Sequence, residues 1–129
     1  MNILISVLVI AAGAAFGANL RWLLGLLMNA WLPSLPLGTL AANLLGAFLI
    51  GLAIALFSTW PGASPYWRLF FITGFLGALT TFSTFSAEVF TNLQTGDVFW
   101  ALAGVLAHVA GSLLMVALGM ASFMLLRRL

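Results

Sequence analysis

Apolar residues fill four long stretches of this chain, and polar residues gather at the joints between them. The stretches run from about Ile3 to Leu27, Pro36 to Phe57, Trp67 to Leu93 and Val98 to Leu126. Each is close to the roughly 20 residues that an α-helix needs to cross a hydrocarbon core about 30 Å thick. The joints are short and rich in turn residues. Asn29–Leu35 holds Pro33, Ser58–Tyr66 holds Pro61, Gly62 and Pro65, and Gln94–Asp97 holds Gly96. Trp22, Trp31, Trp60, Trp67, Trp100 and Tyr66 fall near the ends of the stretches, the place of the aromatic belt at membrane interfaces. The pattern predicts an all-α membrane protein with four transmembrane helices, in one domain covering residues 1–129.

One place departs from the apolar pattern. Thr80–Ser86 reads TTFSTFS, five hydroxyls and two phenyl rings in seven residues. At membrane depth hydroxyls gather where they face protein, water or a permeating solute. Helical spacing puts Thr81, Thr84 and Glu88 in one stripe, Phe82 and Phe85 in a second, and Ser83 and Ser86 in a third. Thr39 and Asn43 share a face of the second helix, and His108 and Ser112 share a face of the fourth. Gly74 and Gly77 precede the run. Glycines followed by β-branched threonines weaken a helix locally. A break there would free carbonyl oxygens, which bind hard cations such as Na⁺.

Composition narrows the function classes. Charged residues are 5% of the chain and hydrophobic ones 64%, and mean hydropathy is +1.24. Soluble domains carry about 25% charged residues. The pI near 10.7 rests on four arginines against two acids, so it does not argue for nucleic acid. No cysteine is present, which excludes disulfides and thiolate chemistry. The N-terminal apolar run lacks a preceding Lys or Arg and continues past Arg21, so a cleaved signal peptide is not expected.

Small residues recur where helices would touch: Gly13 and Gly17 with Arg21, then Gly46, Ala47 and Gly51, then Gly104, Gly111 and Ser112. Thirteen glycines imply close packing. Four helices of this size enclose little interior volume, so an aqueous or ion path calls for a second subunit, and a homodimer is expected. Arg68, Arg127 and Arg128 fall on the N-terminal side of the membrane and Arg21 toward the other. That bias is small and permits insertion in both orientations.

The polar set combines amide and hydroxyl donors with phenyl rings and has no Lys or Arg at its centre. Phenyl edges are positive. Ring edges and neutral donors suit a small anion, replacing its water shell without trapping it. The same groups could line a path for water or a small polar solute, or hold helices together.

The run Gly74-Phe-Leu-Gly-Ala-Leu-Thr-Thr-Phe-Ser-Thr-Phe-Ser-Ala-Glu88 closely resembles the signature of the bacterial CrcB/Fluc fluoride channels. Gly38-Thr-Leu-Ala-Ala-Asn43 resembles that family's second-helix motif, and Gly17-Ala-Asn-Leu-Arg-Trp22 its first-helix motif. Length and four-segment layout agree across the chain. The resemblance implies an antiparallel, dual-topology homodimer in the bacterial inner membrane, with two fluoride pores and a third helix broken near its middle. Phe82 and Phe85 would line the pores with their ring edges, and Asn43 would hydrogen-bond the ion. Thr39, Thr81, Ser83, Thr84, Ser86 and Ser112 are candidates for a polar track. Arg21 would face an aqueous vestibule, with His108 and Glu88 as auxiliary residues. A structural, untransported Na⁺ would be held at the dimer centre by the carbonyls of Gly77 and Thr80 from both subunits. The implied function is passive export of cytoplasmic fluoride down its electrochemical gradient. The partners are fluoride, a second copy and the bilayer, with no nucleic acid, and the chain is not an enzyme.

Three rivals make distinct demands. A proton-coupled antiporter of the small multidrug type needs an acid in the first segment, which has none. A non-catalytic assembly subunit would use the polar residues as glue. An intramembrane hydrolase needs a nucleophile beside a base, and no spacing brings Glu88, His108 and a serine together.

Overall fold

The computed structural model describes residues 1–128, all of them helix or short connection. Helix α1 spans Ile3–Met28 and ends in a 3₁₀ turn, Asn29–Trp31. Helix α2 spans Leu37–Thr59. The third crossing, Pro65–Gln94, is composite. It starts as α3 (Pro65–Arg68), widens into a π-helix (Leu69–Leu76), closes as α4 (Gly77–Leu79), breaks at Thr80 and Thr81, and resumes as α5 (Phe82–Gln94). Helix α6 spans Val98–Leu126. Four crossings are thus long and apolar enough to span a membrane, and the third is broken.

The helix ends follow local chemistry. Asn2 Oδ1 caps α1, accepting from the Leu4 and Ile5 N–H groups at 2.9 and 3.4 Å. The third crossing begins at Pro65, two residues before the apolar stretch, because Ser64 Oγ accepts from the Tyr66 N–H at 3.4 Å and proline suits a first helical turn. Pro36 has no capping side chain, so α2 borrows one: Asn29 Oδ1 accepts from Gly38 N–H at 2.8 Å and Thr39 N–H at 3.2 Å. Arg68 Nη2 donates to the Phe57 carbonyl at 3.1 Å, placing a cation at the C-terminal end of α2. Helix α5 ends in a Schellman turn: Asp97 N–H reaches the Asn92 carbonyl at 2.8 Å and Gly96 N–H the Leu93 carbonyl at 3.2 Å. Gly96 sits at φ +84°, where a side chain would be strained.

Packing rests on backbone-to-backbone approach. A Cβ on Gly13 or Gly17 would overlap the carbonyl oxygens of Phe70 or Phe75, and one on Gly74 would meet the Ile10 carbonyl oxygen at 2.6 Å. Helix α1 therefore lies flush against the π-helical stretch. Helices α2 and α6 meet through a reciprocal pair, Gly51 against the Val116 carbonyl and Gly119 against the Phe48 carbonyl. Gly119 extends the stripe read from Gly104 and Gly111 by two turns. Ala42, Leu76 and Leu79 form the core, with Leu20, Leu24, Leu49, Ile50 and Phe75 around them. This core lies beside the break, and among the described residues Leu79 is the one large side chain with essentially no exposure. Much of the remaining apolar surface faces outward, including Leu102, Leu106, Leu113 and Leu114 on α6.

Candidate functional site

The site is built around the break. Thr80 (φ −82°, ψ 153°) and Thr81 (φ −148°, ψ 117°) are extended between two helical turns. An extended residue at membrane depth needs partners for its peptide groups. Asn43 of α2 supplies them. Its Oδ1 accepts from Thr81 N–H at 2.7 Å, and its Nδ2 donates to the Thr81 carbonyl at 3.0 Å. The amide acts as a one-residue strand partner. Its other Nδ2 proton points toward His108 Nδ1 of α6, 2.9 Å away. One side chain thus ties α2, the break and α6 together.

The hydroxyls divide by what they touch. Thr81 Oγ1 caps α5 by accepting from Thr84 N–H at 3.2 Å, and it lies 3.0 Å from Thr84 Oγ1 and 3.3 Å from Ser83 Oγ. Thr80 Oγ1 and Ser86 Oγ donate back to the Leu76 and Phe82 carbonyls at 2.9 and 2.8 Å. Thr39 Oγ1 donates to Glu88 Oε1 at 2.6 Å. That pair joins α2 to α5 one helical turn from Asn43.

Two cavities meet at Thr81. The first, about 530 Å³, is lined by Asn43, Thr80, Thr81, Phe82, Phe85, His108 and Ser112 among others, and by no Asp, Glu, Lys or Arg. Gly77 is also on its wall. Phe85 is buried and packs on the His108 ring, with centroids 4.6 Å apart. Phe82 meets Phe85 edge-on at 5.5 Å and is 78% exposed. The second cavity, about 540 Å³, is lined by Arg21, Trp22, Asn29, Thr39, Thr81 and Thr84. Its cation is Arg21, whose Nε donates to the Ala78 carbonyl at 3.0 Å. Ser83, Ser86 and Glu88 lie beside these walls without being part of them.

The break takes the i+4 helical donors from the carbonyls of Gly77, Ala78, Leu79 and Thr80. In a continuous helix, Thr81 N–H would serve Gly77 and Thr84 N–H would serve Thr80. Those donors are instead held by Asn43 Oδ1 and Thr81 Oγ1. The Ala78 carbonyl between them has Arg21. Among the described residues no cluster of three or more His, Cys, Asp or Glu could hold a metal. Bare carbonyls are the cation-binding groups at hand, and they suit a hard ion.

Most sequence candidates converge here. Asn43, Phe82, Phe85, Thr81, Ser112 and His108 share one cavity, and Arg21, Thr39, Thr81 and Thr84 share the other. The spacing argument missed Asn29, a loop residue whose role as a remote cap depends on tertiary approach. It also missed the Arg21 clamp on Ala78, for which the i, i+4, i+8 run Gly13-Gly17-Arg21 was the available signal.

Residues 8–120 match the family described as CrcB-like protein, Camphor Resistance (CrcB). A protein of Chromohalobacter salexigens named Fluoride-specific ion channel FluC is 65% identical over 125 residues, covering 97% of this chain and 95% of that protein. Proteins of the same name from Chromobacterium violaceum and Pseudomonas paraeruginosa are 59% and 61% identical, covering 95% and 91% of this chain and 98% and 92% of their own lengths. With four membrane-crossing helices and a match across nearly its whole length, the chain belongs to the CrcB family and is a multi-pass bacterial membrane protein.

Proposed function

We propose that this protein is a passive, fluoride-selective channel that exports cytoplasmic fluoride down its electrochemical gradient. The observation that carries the reading is the first cavity. Neutral donors and phenyl rings gather there at membrane depth, and no charged side chain lines it. A fixed cation would hold the anion too tightly to release it, whereas amide, hydroxyl and ring-edge contacts replace its water shell at lower affinity. Arg21 in the adjoining cavity attracts the anion without lining the neutral one. Hydrogen fluoride enters cells from acidic media and dissociates in a near-neutral cytoplasm, and the membrane potential then drives the anion out.

In this reading Phe82 and Phe85 present ring edges to fluoride, Asn43 is its amide ligand, and Thr39, Thr81, Ser83, Thr84, Ser86 and Ser112 supply the polar track. Both Asn43 amide protons have partners within the protomer, the Thr81 carbonyl and His108 Nδ1. Arg21, Glu88 and His108 serve the approaches. The working unit is an antiparallel, dual-topology homodimer in the inner membrane, with two pores. The exposed Phe82 ring and the open side of Gly77, where an added Cβ would meet only the Ile72 carbonyl oxygen at 3.6 Å, support a second copy against this face. Na⁺ at the dimer centre would be held by the Gly77 and Thr80 carbonyls as a structural ion that ties the broken helices of the two copies together.

Fluoride release from liposomes tests the channel directly. A fluoride electrode follows efflux, a K⁺ ionophore balances charge, and chloride-loaded vesicles are the control. Rapid fluoride release with negligible chloride release is expected. Silence from correctly inserted protein would discard the reading.

A further inference from the structure

We propose that the basic end of the bundle holds one anionic phospholipid per chain, its phosphate between Arg127 and Arg128 and an acyl chain in the groove lined by Leu56 and Phe123. The charges are sorted by rim. The start of α1, the link from α2 into the third crossing and the last turn of α6 share one end of the bundle, where Asn2 N–H donates to Tyr66 Oη at 3.2 Å. Three of the four arginines, Arg68, Arg127 and Arg128, lie at this end. Both acids lie away from it. Glu88 is held by Thr39 in the opening turn of α2. Asp97 precedes α6, whose 29 residues put it about 43 Å from Arg127. The rim is therefore positive, with no carboxylate side chain to neutralise it.

Two of these arginines are set in a cavity. Arg127 and Arg128 ride the closing turn of α6, where their backbone N–H groups reach the Phe123 and Leu125 carbonyls, each at 3.1 Å. With Ser58 and Thr59 at the end of α2 they line a cavity of about 370 Å³. The two hydroxyls donate back to the Ala55 and Leu56 carbonyls at 2.8 and 2.9 Å, so the side-chain donors left for a ligand are the guanidinium groups. Their planar forks match phosphate oxygens, and basic pockets between membrane helices bind anionic headgroups. Arg68 Nη2, 3.1 Å from the Phe57 carbonyl, offsets the negative end of α2 that would otherwise repel an anion. Phe123 also lines an apolar cavity of about 610 Å³, with Leu49, Leu52, Leu56, Trp60 and Phe71. From Trp60 to Leu49 this groove follows α2 for about 16 Å toward the bilayer centre. A charged cavity at the rim, joined at Phe123 to an apolar one running inward, has the two-part chemistry of a phospholipid. Free phosphate would leave the apolar part unused.

Photolabelling of the full-length protein tests the site. Phosphatidylcholine vesicles are doped with phosphatidylglycerol that carries a photoactivatable group along one acyl chain, and adducts are mapped by peptide mass spectrometry. Adducts are expected on residues 49–60 and on the peptide that contains Phe123. Their yield should exceed that from phosphatidylcholine bearing the same group on the order of tenfold, the preference expected of two arginines facing one headgroup. Unlabelled phosphatidylglycerol in excess should remove the adducts, and inorganic phosphate at matched ionic strength should not. R127Q/R128Q should bring the phosphatidylglycerol yield down to the phosphatidylcholine level. Equal yields from the two lipids overturn the proposal. So does a groove that takes no adduct, the result if a second copy of the chain covers it. Displacement by inorganic phosphate would make the cavity a site for free anions and overturn the lipid assignment. The comparison of lipids uses the unaltered protein, so misinsertion of R127Q/R128Q does not blunt the test. No step reads ion flux, so the outcome is separate from that of the channel reading.

Discussion

Asn43 holds Thr81 by two hydrogen bonds, one to its N–H at 2.7 Å and one to its carbonyl at 3.0 Å. A membrane helix broken by an extended residue is tolerated when another side chain completes the peptide groups. N43A leaves both groups, and His108 Nδ1, without partners. The expected cost is about 1–2 kcal/mol of protomer stability. Thermal unfolding in detergent should show it, together with loss of fluoride flux. N43D should be at least as harmful, because a carboxylate cannot donate to the Thr81 carbonyl.

Phe82 and Phe85 are stacked edge to face but differ in burial, which separates pore from packing effects. Isoleucine at either position keeps an apolar side chain and removes the ring edge. Each substitution should lower fluoride flux by about tenfold, the scale of one aromatic edge contact. F82I should leave the melting temperature and dimer assembly unchanged, and F85I should lower the former modestly. Unchanged flux in both would sink the pore-lining role.

Gly17 and Gly77 make contrasting demands. A methyl group on Gly17 would overlap the Phe75 carbonyl oxygen, and backbone cannot swing aside as a side chain can. G17A should cost roughly 1–3 kcal/mol. G77A has room within the protomer. It should therefore fold normally as a protomer and weaken dimerisation. Cross-linking in membranes beside a thermal melt distinguishes the two.

The four crossings were legible because lipid imposes length and apolarity on each segment independently, and all four apolar stretches became helices. The fourth is Val98–Leu126 in both readings. The polar constellation was legible because hydroxyls at membrane depth have few uses. What could not be read depends on approach between segments. Gly74 looked like a helix weakener, yet it lies within the π-helical stretch, where its missing side chain admits α1, and the chain breaks at the threonines instead. Nothing in the local sequence Leu69–Leu76 announces a π-helix. Asn29 could be named as a loop residue, but its capping of Gly38 and Thr39 appears only when the loop folds back.

Sodium can be tested apart from fluoride. A cation bound by the Gly77 and Thr80 carbonyls stabilises the assembled form by mass action. Replacing Na⁺ with a bulky organic cation should lower the melting temperature of the dimer, and readdition should restore it in a concentration-dependent way. Radioactive sodium should not accompany fluoride across the liposome membrane. Sodium uptake in fixed proportion to fluoride would contradict a structural ion.

Arg21 has two separable contributions. Its charge sits in the cavity next to the neutral one, and its Nε clamps the Ala78 carbonyl at 3.0 Å beside the break. Lysine keeps the charge but lacks the planar fork and the Nε donor. Glutamine keeps a donor and loses the charge. If attraction of the anion matters, flux through R21Q should be lower at low ionic strength and should lose most of its dependence on salt, since screening acts over about 10 Å at 0.1 M. R21K should keep that dependence and instead lower the melting temperature by loosening the Ala78 carbonyl. A salt response that persists in R21Q would remove Arg21 from the approach path and leave it the helix clamp alone.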